Sequence, residues 1–159
     1  RYSESNKKVF GFNTATDFEK EDRRTQVQEG DVLLTIVGAI GRTAVVGKNV
    51  KNITFQRSVA VLKPNTFLLD SEYLRYYLEA INQVIQVEAH GLAQKGIYLN
   101  QIKRLNIVVP DKNSIQKEIV KKCKKIDKKY KVTRMSYEIY QEEIKRIFLE
   151  EEILILEKA

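Results

Sequence analysis

The sequence predicts an α+β protein, a strand-rich body over residues 1–111 followed by a long C-terminal coiled-coil helix over residues 112–159. Three observations predict it. Short runs rich in Val, Ile and Leu, each bounded by Gly, Pro or Asn, recur as far as Pro110. One amphipathic helical pattern interrupts them after Ser71. From Asn113 onward there is neither Gly nor Pro, and apolar residues follow a period of 3.5.

Residues 1–29 are polar apart from Val9-Phe10-Gly11-Phe12 and read as an exposed linker or edge element. Gly30-Asp31 marks a turn, and Val32 to Val37 reads as a buried strand. Arg42 to Val46 makes a second strand, giving a hairpin whose tip is Gly38-Ala39-Ile40-Gly41. Ile53-Thr54-Phe55 and Ser58 to Leu62 are further strand segments, closed by Pro64-Asn65. Asp70 or Ser71 can cap the amphipathic helix, whose apolar face is Tyr73, Leu74, Tyr77, Leu78, Ile81, Val84 and Ile85, and Gly91 ends it. A loop between Gly91 and Gly96 leads to a short helical turn over Leu99–Arg104 and a last strand, Leu105–Val109.

The final stretch opens on Asn113 with Gln116 three residues on, the spacing of a capping box. Its seam is Ile119, Cys123, Ile126, Tyr130, Tyr137, Tyr140, Ile144, Ile147 and Leu154, with Thr133 and Glu151 at the two remaining places. An unbroken helix here would reach roughly 60–70 Å at 1.5 Å per residue. Between Lys117 and Arg134 stand nine bases against two acids, and between Glu138 and Glu157 seven acids against two bases. That order opposes the helix dipole, and a parallel partner would set like charges side by side. The pattern predicts an antiparallel helix pairing, most economically with a second copy, against the plainer possibility of a charged helix folded back on its own domain.

The net charge of +7 suits a nucleic-acid partner. No apolar run is long enough to span a membrane and no signal peptide is visible, so a cytoplasmic location is expected. Cys123, the single cysteine, lies on the helix seam and reads as a small buried hydrophobe. The chain begins at Arg1, as a fragment would.

No catalytic constellation emerges. His90 sits at a helix end without clustered partners for a triad or metal site. The Gly38–Arg42 segment lacks both the Lys-Ser/Thr of a phosphate loop and the three-glycine dinucleotide pattern. Asp111 and Glu118 precede lysines, but no carboxylate pair is spaced for acid/base work. Binding residues do gather at the loop tips: Thr35, Gly38, Arg42 and Thr43 on the hairpin, Gln56, Arg57 and Ser58 before the next strand, and Gln94, Lys95 and Tyr98 around the last loop. Arg and Gln read guanine and adenine edges bidentately, while Lys, Ser, Thr and glycine amides fit phosphates.

The order Gly30-Asp31-Val32-Leu33-Leu34-Thr35, then Ile40-Gly41, then Phe55-Gln56-Arg57-Ser58, resembles the target-recognition domain of type I restriction-modification specificity subunits. Leu69 to Leu78 resembles the family's helix, Gly91 to Ile97 with Leu105 to Pro110 its closing loop and strand, and Ile115 to Val120 the start of its spacer helix. The resemblance runs in order from about residue 28 to the chain end. It implies a DNA-reading subunit without catalysis or cofactor of its own. In such subunits two recognition domains, held apart by antiparallel helices, each read half of a split double-stranded DNA target. Partner methyltransferase (modification) subunits methylate adenine with S-adenosylmethionine, and a restriction subunit can join. This chain has one domain and one helix stretch, and the resemblance implies that the N-terminal part of the domain is missing. The expected form is a half-sized subunit that makes a homodimer, or pairs with a second recognition domain, through the seam. The alternative is an adaptor that docks through its coiled-coil helix and does not bind DNA.

Overall fold

The computed structural model describes residues 7–11, 27–48, 50, 58–89, 96–133 and 135–154. In chain order these form β1 (Lys7–Gly11), β2 (Val32–Thr35), β3 (Thr43–Val45), β4 (Val59–Leu62), α1 (Ser71–Ala80), α2 (Asn82–Ala89), α3 (Leu99–Ile102), β5 (Asn106–Pro110), α4 (Asn113–Thr133) and α5 (Tyr137–Glu150). The α+β class with a long C-terminal helix, α4 at 21 residues, is present. The expected strand at Ile53–Phe55, His90 and the glycine at 91 lie outside the described residues.

Two antiparallel sheets carry the strands, one in the order β3-β2-β4 and one pairing β1 with β5. The segment read as a linker or edge element therefore contains an edge strand, with Val9 opposite Val108 in register. In the first sheet Val32 faces Val45 on one side and Leu62 on the other. Val32 and Leu34 are wholly buried while Leu33 is half-buried, the alternation of a strand with one covered face.

That cover is α1, and the whole molecule is assembled on it. Asp70 is its N-cap, accepting from the Tyr73 N–H at 3.0 Å, while the Ser71 hydroxyl donates to the Gly30 carbonyl at 2.6 Å and locks the turn before β2. Tyr73, Leu74, Tyr76, Tyr77 and Leu78 are all buried. Tyr73 and Tyr77 reach β5, their hydroxyls donating to the Val108 carbonyl at 2.7 Å and the Asn106 carbonyl at 3.4 Å.

The amphipathic pattern predicts one helix through Ile85, but α1 stops at Ala80 and α2 restarts at Asn82. Asn82, Ile85 and Ala89 turn inward, which leaves Val84 half exposed although the periodicity placed it on the apolar face. From α2, Asn82 and Gln86 reach the carbonyls of the β2–β3 tip.

The second difference is larger. The stretch expected as one helix forms two, α4 and α5, which run antiparallel as a hairpin. Lys122 pairs with Glu151 and Lys129 with Glu143, so the basic half does lie against the acidic half. Here, though, both halves belong to the same chain. Ile119, Cys123 and Ile144 are fully buried, Tyr140 and Ile147 nearly so, and Ile126, Tyr130, Tyr137 and Leu154 pack at the margin. Phe148 packs against the rings of both Tyr73 and Tyr77, with centroids 5.5 and 5.6 Å away. The break follows the β-branched pair Val132-Thr133, and Ser136 caps α5 by accepting from the Ile139 N–H at 3.4 Å. Burying both apolar stripes on α1 outweighs the few tenths of a kcal/mol per residue that a continuous exposed helix would retain. Gln116, expected in a capping box, instead accepts from the Asp70 N–H and donates to the Leu68 carbonyl, each at 2.9 Å, and so ties the start of α4 to the start of α1.

Candidate functional site

Three of the loops that carry the expected binding residues meet at one edge. The Ile36 N–H donates to the Ser58 carbonyl at 2.8 Å, the Ile97 N–H donates to the Ile36 carbonyl at 2.9 Å, and Val37 bridges to Gly96. Segments distant in sequence thus meet at Ile36-Val37, with Gly38 and Arg42 following on the hairpin, Ser58 on the second segment and Tyr98 just after the third. Gln56, Arg57, Gln94 and Lys95 lie outside the described residues.

The tip of the β2–β3 hairpin is tightly built. The Thr35 hydroxyl accepts from the Arg42 N–H at 2.9 Å and donates to the Ala39 carbonyl, so this side chain closes the loop from within. Gly38 and Gly41 hold φ of 80° and 88°, the left-handed region that costs other residues strain. At Gly41 space matters too, because an added Cβ would lie 2.0 Å from Asn82 Nδ2. Asn82 donates to the Gly41 carbonyl at 2.8 Å and Gln86 to the Ile40 carbonyl at 2.5 Å, pinning the tip on α2.

Behind the tip lies a buried carboxylate. Glu79, 3% exposed, accepts at Oε1 from the Thr43 hydroxyl at 2.6 Å and the Thr43 N–H at 3.3 Å. At Oε2 it accepts from the Tyr137 hydroxyl at 2.6 Å and from Gln141 at 3.2 Å. Burial, then the adjacent Glu79 charge, pushes the Tyr137 hydroxyl well above its ordinary pKa, so it stays a donor. Thr43 therefore joins β3 to α1 and α5, while its neighbour Arg42 is exposed with its guanidinium 4.9 Å from the centre of the Tyr137 ring. Tyr98, at the other end of the rim, is 61% exposed.

Beside the tip runs a groove of about 730 Å³ between the hairpin, α2 and α5, lined among others by Arg42, Gln83, Gln86, Gln141 and Lys145. Gln83 spans it, donating to Glu142 at 2.9 Å and accepting from Lys145 at 3.0 Å. The sequence reading missed these amides and Glu79. Their signal was there as polar residues at helical spacing, Glu79, Asn82, Gln83 and Gln86, in a stretch read only for its apolar face. Chemically, the rim offers a forked cation, an exposed aromatic ring and glycine backbone. Among the described residues no group of three His, Cys, Asp or Glu is placed to hold a metal, and no helix is long and apolar enough to cross a membrane.

Proteins of known type are similar to this chain in sequence or in fold. The specificity subunit of the type I restriction enzyme EcoBI from Escherichia coli is 29% identical over 106 residues, covering 65% of this chain and 22% of that protein. The type I restriction-modification S subunit of M. genitalium superposes with a TM-score of 0.52 at 18% identity, covering 69% of this chain and 29% of that one. The HsdS subunit of Thermoanaerobacter tengcongensis does so with a TM-score of 0.58 at 18% identity, covering 71% and 30%. The chain thus spans less than a third of the length of these relatives. Residues 2–141 match the family described as the type I restriction modification DNA specificity domain, and the chain belongs to that family.

Proposed function

We propose that this chain reads DNA sequence as the target-recognition part of a type I restriction-modification specificity subunit, without catalysing a reaction itself. The convergence of the three loops on one rim is the observation that supports it most directly. Arg42 and Tyr98 are the exposed readers, Gly38 and Ser58 offer backbone and hydroxyl contacts to phosphate, and Thr35 and Thr43 hold the tip in shape. Gln56, Arg57, Gln94 and Lys95 complete the surface on sequence grounds. Residues 1–111 form the recognition unit and residues 112–159 the helical arm.

Methyltransferase subunits, which carry S-adenosylmethionine, and a restriction subunit are the partners in this reading. A second recognition domain, from a second copy or another chain, reads the other half of the target. The seam from Ile119 to Leu154 is occupied within the chain, so spacing of two readers uses the outer face of α5, where Ile139 is exposed, or opens the hairpin at Met135-Ser136.

Selection of bound duplexes from a random library, with the modification subunits present, tests the reading. A defined half-site should emerge, and Arg42→Gln should relax it at one base pair, a loss of about 1–3 kcal/mol in discrimination. Selection that returns no sequence preference would overturn it.

A further inference from the structure

We propose that the outer face of α4 is a second nucleic-acid contact, a lysine track that grips the phosphate backbone outside the sequence being read. The proposal rests on the DNA-reading function above and assigns it a separate, sequence-independent surface.

Eight lysines and two acids make up the charged residues of α4, so most of the +7 net charge of the chain is concentrated in this one helix. Lys117, Lys121, Lys124, Lys128 and Lys131 follow one another at steps of four and three, which lines them up on a single face, with Lys125 beside them. All six are exposed, and the opposite face buries Ile115, Ile119, Val120 and Cys123. Lys122 and Lys129 are neutralised by Glu151 and Glu143 in the hairpin, and Lys124 lies 3.6 Å from Glu72. Lys117, Lys121, Lys125, Lys128 and Lys131 make no ion pair with a described residue.

Such a face is unfavourable for the isolated fold. Like charges four residues apart, such as Lys117–Lys121, Lys121–Lys125 and Lys124–Lys128, each destabilise a helix by a few tenths of a kcal/mol. Removing them would cost no packing, so the charge finds its use outside the chain. Two features favour nucleic acid over an acidic protein surface. The track holds no apolar or aromatic residue between Lys117 and Lys131, whereas the centre of a protein interface is depleted in lysine and rich in aromatic side chains. Its cations are all lysine, point charges suited to phosphate at any sequence, and the exposed acid that flanks it, Glu118, lies 3.8 Å from Lys122. Lys117 and Lys131 are about 21 Å apart along the helix, a length of duplex that carries about six phosphates per strand. The end of the track lies toward the reading rim, since Tyr130 packs on Tyr140 and the adjacent Tyr137 meets Arg42.

The test compares the full chain with a variant carrying Lys117→Gln, Lys121→Gln, Lys128→Gln and Lys131→Gln, bound to a mixed-sequence duplex of about 30 base pairs over a range of salt concentrations. The slope of log affinity against log salt should become shallower by about 2–4, because each phosphate contact contributes about 0.9. The ratio of selected to mixed-sequence binding should be unchanged, since phosphate contacts carry no base information. The melting temperature should hold or rise as like charges are removed, which separates lost contact from lost fold. An unchanged slope in the variant, with wild-type binding intact, would overturn the track alone, as would an unchanged slope accompanied by lost association with the modification subunits. Absence of wild-type binding to any duplex at low salt would instead sink the DNA-reading function on which the track rests.

Discussion

Gly38 and Gly41 share a left-handed backbone three residues apart, yet their surroundings differ completely. Nothing lies within 4 Å of a Cβ built on Gly38, whereas one on Gly41 would meet Asn82 at 2.0 Å. Gly38→Ala should therefore cost only the left-handed penalty, about 1 kcal/mol. Gly41→Ala adds displacement of a buried, hydrogen-bonded amide and should cost about 3 kcal/mol in urea denaturation. Glu79 offers a second comparison. Glu79→Ala strands the Tyr137 hydroxyl and the Gln141 amide, leaves the Thr43 hydroxyl only the Arg75 carbonyl at 3.5 Å, and should destabilise by about 3 kcal/mol while also releasing the ring beneath Arg42. A smaller loss than about 1 kcal/mol would mean that water replaces the carboxylate, contrary to its burial.

At the scale of elements, α5 is held, besides Glu79, by an aromatic plug and a second polar knot. Phe148→Ala should cost about 3–5 kcal/mol by emptying the buried space against Tyr73 and Tyr77. The knot is Asp127, which accepts from Arg75 at 2.8 Å, Tyr76 at 2.5 Å and Tyr140 at 2.7 Å, and so ties α1, α4 and α5 together. Strands β2 to β5, the cap at Asp70, the helix start at Asn113 and the antiparallel sense of the C-terminal helices were legible, because each depends on local periodicity, capping chemistry or charge order, whereas β1 lay in a stretch too polar to announce itself. The fold-back was not. A seam at 3.5 spacing looks the same whether its partner is another chain or the next segment, and the break lies at Ser136, a residue with no Pro or Gly beside it to announce it. The knot was hidden for a similar reason, since Asp127 reads in sequence as a stray acid in a basic run. Of the expected binding residues, exposure of Arg42 was legible from its turn, but the inward use of Thr35 and Thr43 depends on Ala39 and on Glu79, the latter far along the chain.

The whole molecule carries a buried set of groups that must stay protonated. Burial pushes the Cys123 thiol up to about 12 and lifts the hydroxyls of Tyr73, Tyr76, Tyr77, Tyr137 and Tyr140 above their ordinary values. In the unfolded chain these groups lose protons from about pH 8.5–10, while in the folded chain they keep them. The folded pKa values are the higher ones, so the stability they contribute is fully present below that range and is lost as pH rises through the folded values. The urea midpoint should accordingly be flat toward neutral pH and fall steadily above about pH 9. Thiol titration at about pH 8 should likewise find Cys123 inert in the native chain and reactive once it is unfolded. A midpoint that rose with pH would contradict the burial of these side chains.

The carboxylate of Glu79 is where body and arm share a fastening. Two of its donors stand on the strand beside the reading tip and two on the first turns of α5, so the arm cannot swing without tugging at the rim. Whatever force an assembled complex exerts on the helices arrives at Arg42 through Tyr137, within a single hydrogen bond and a single ring face. The joint turns the helical hairpin into a lever whose short end is the edge proposed to read DNA.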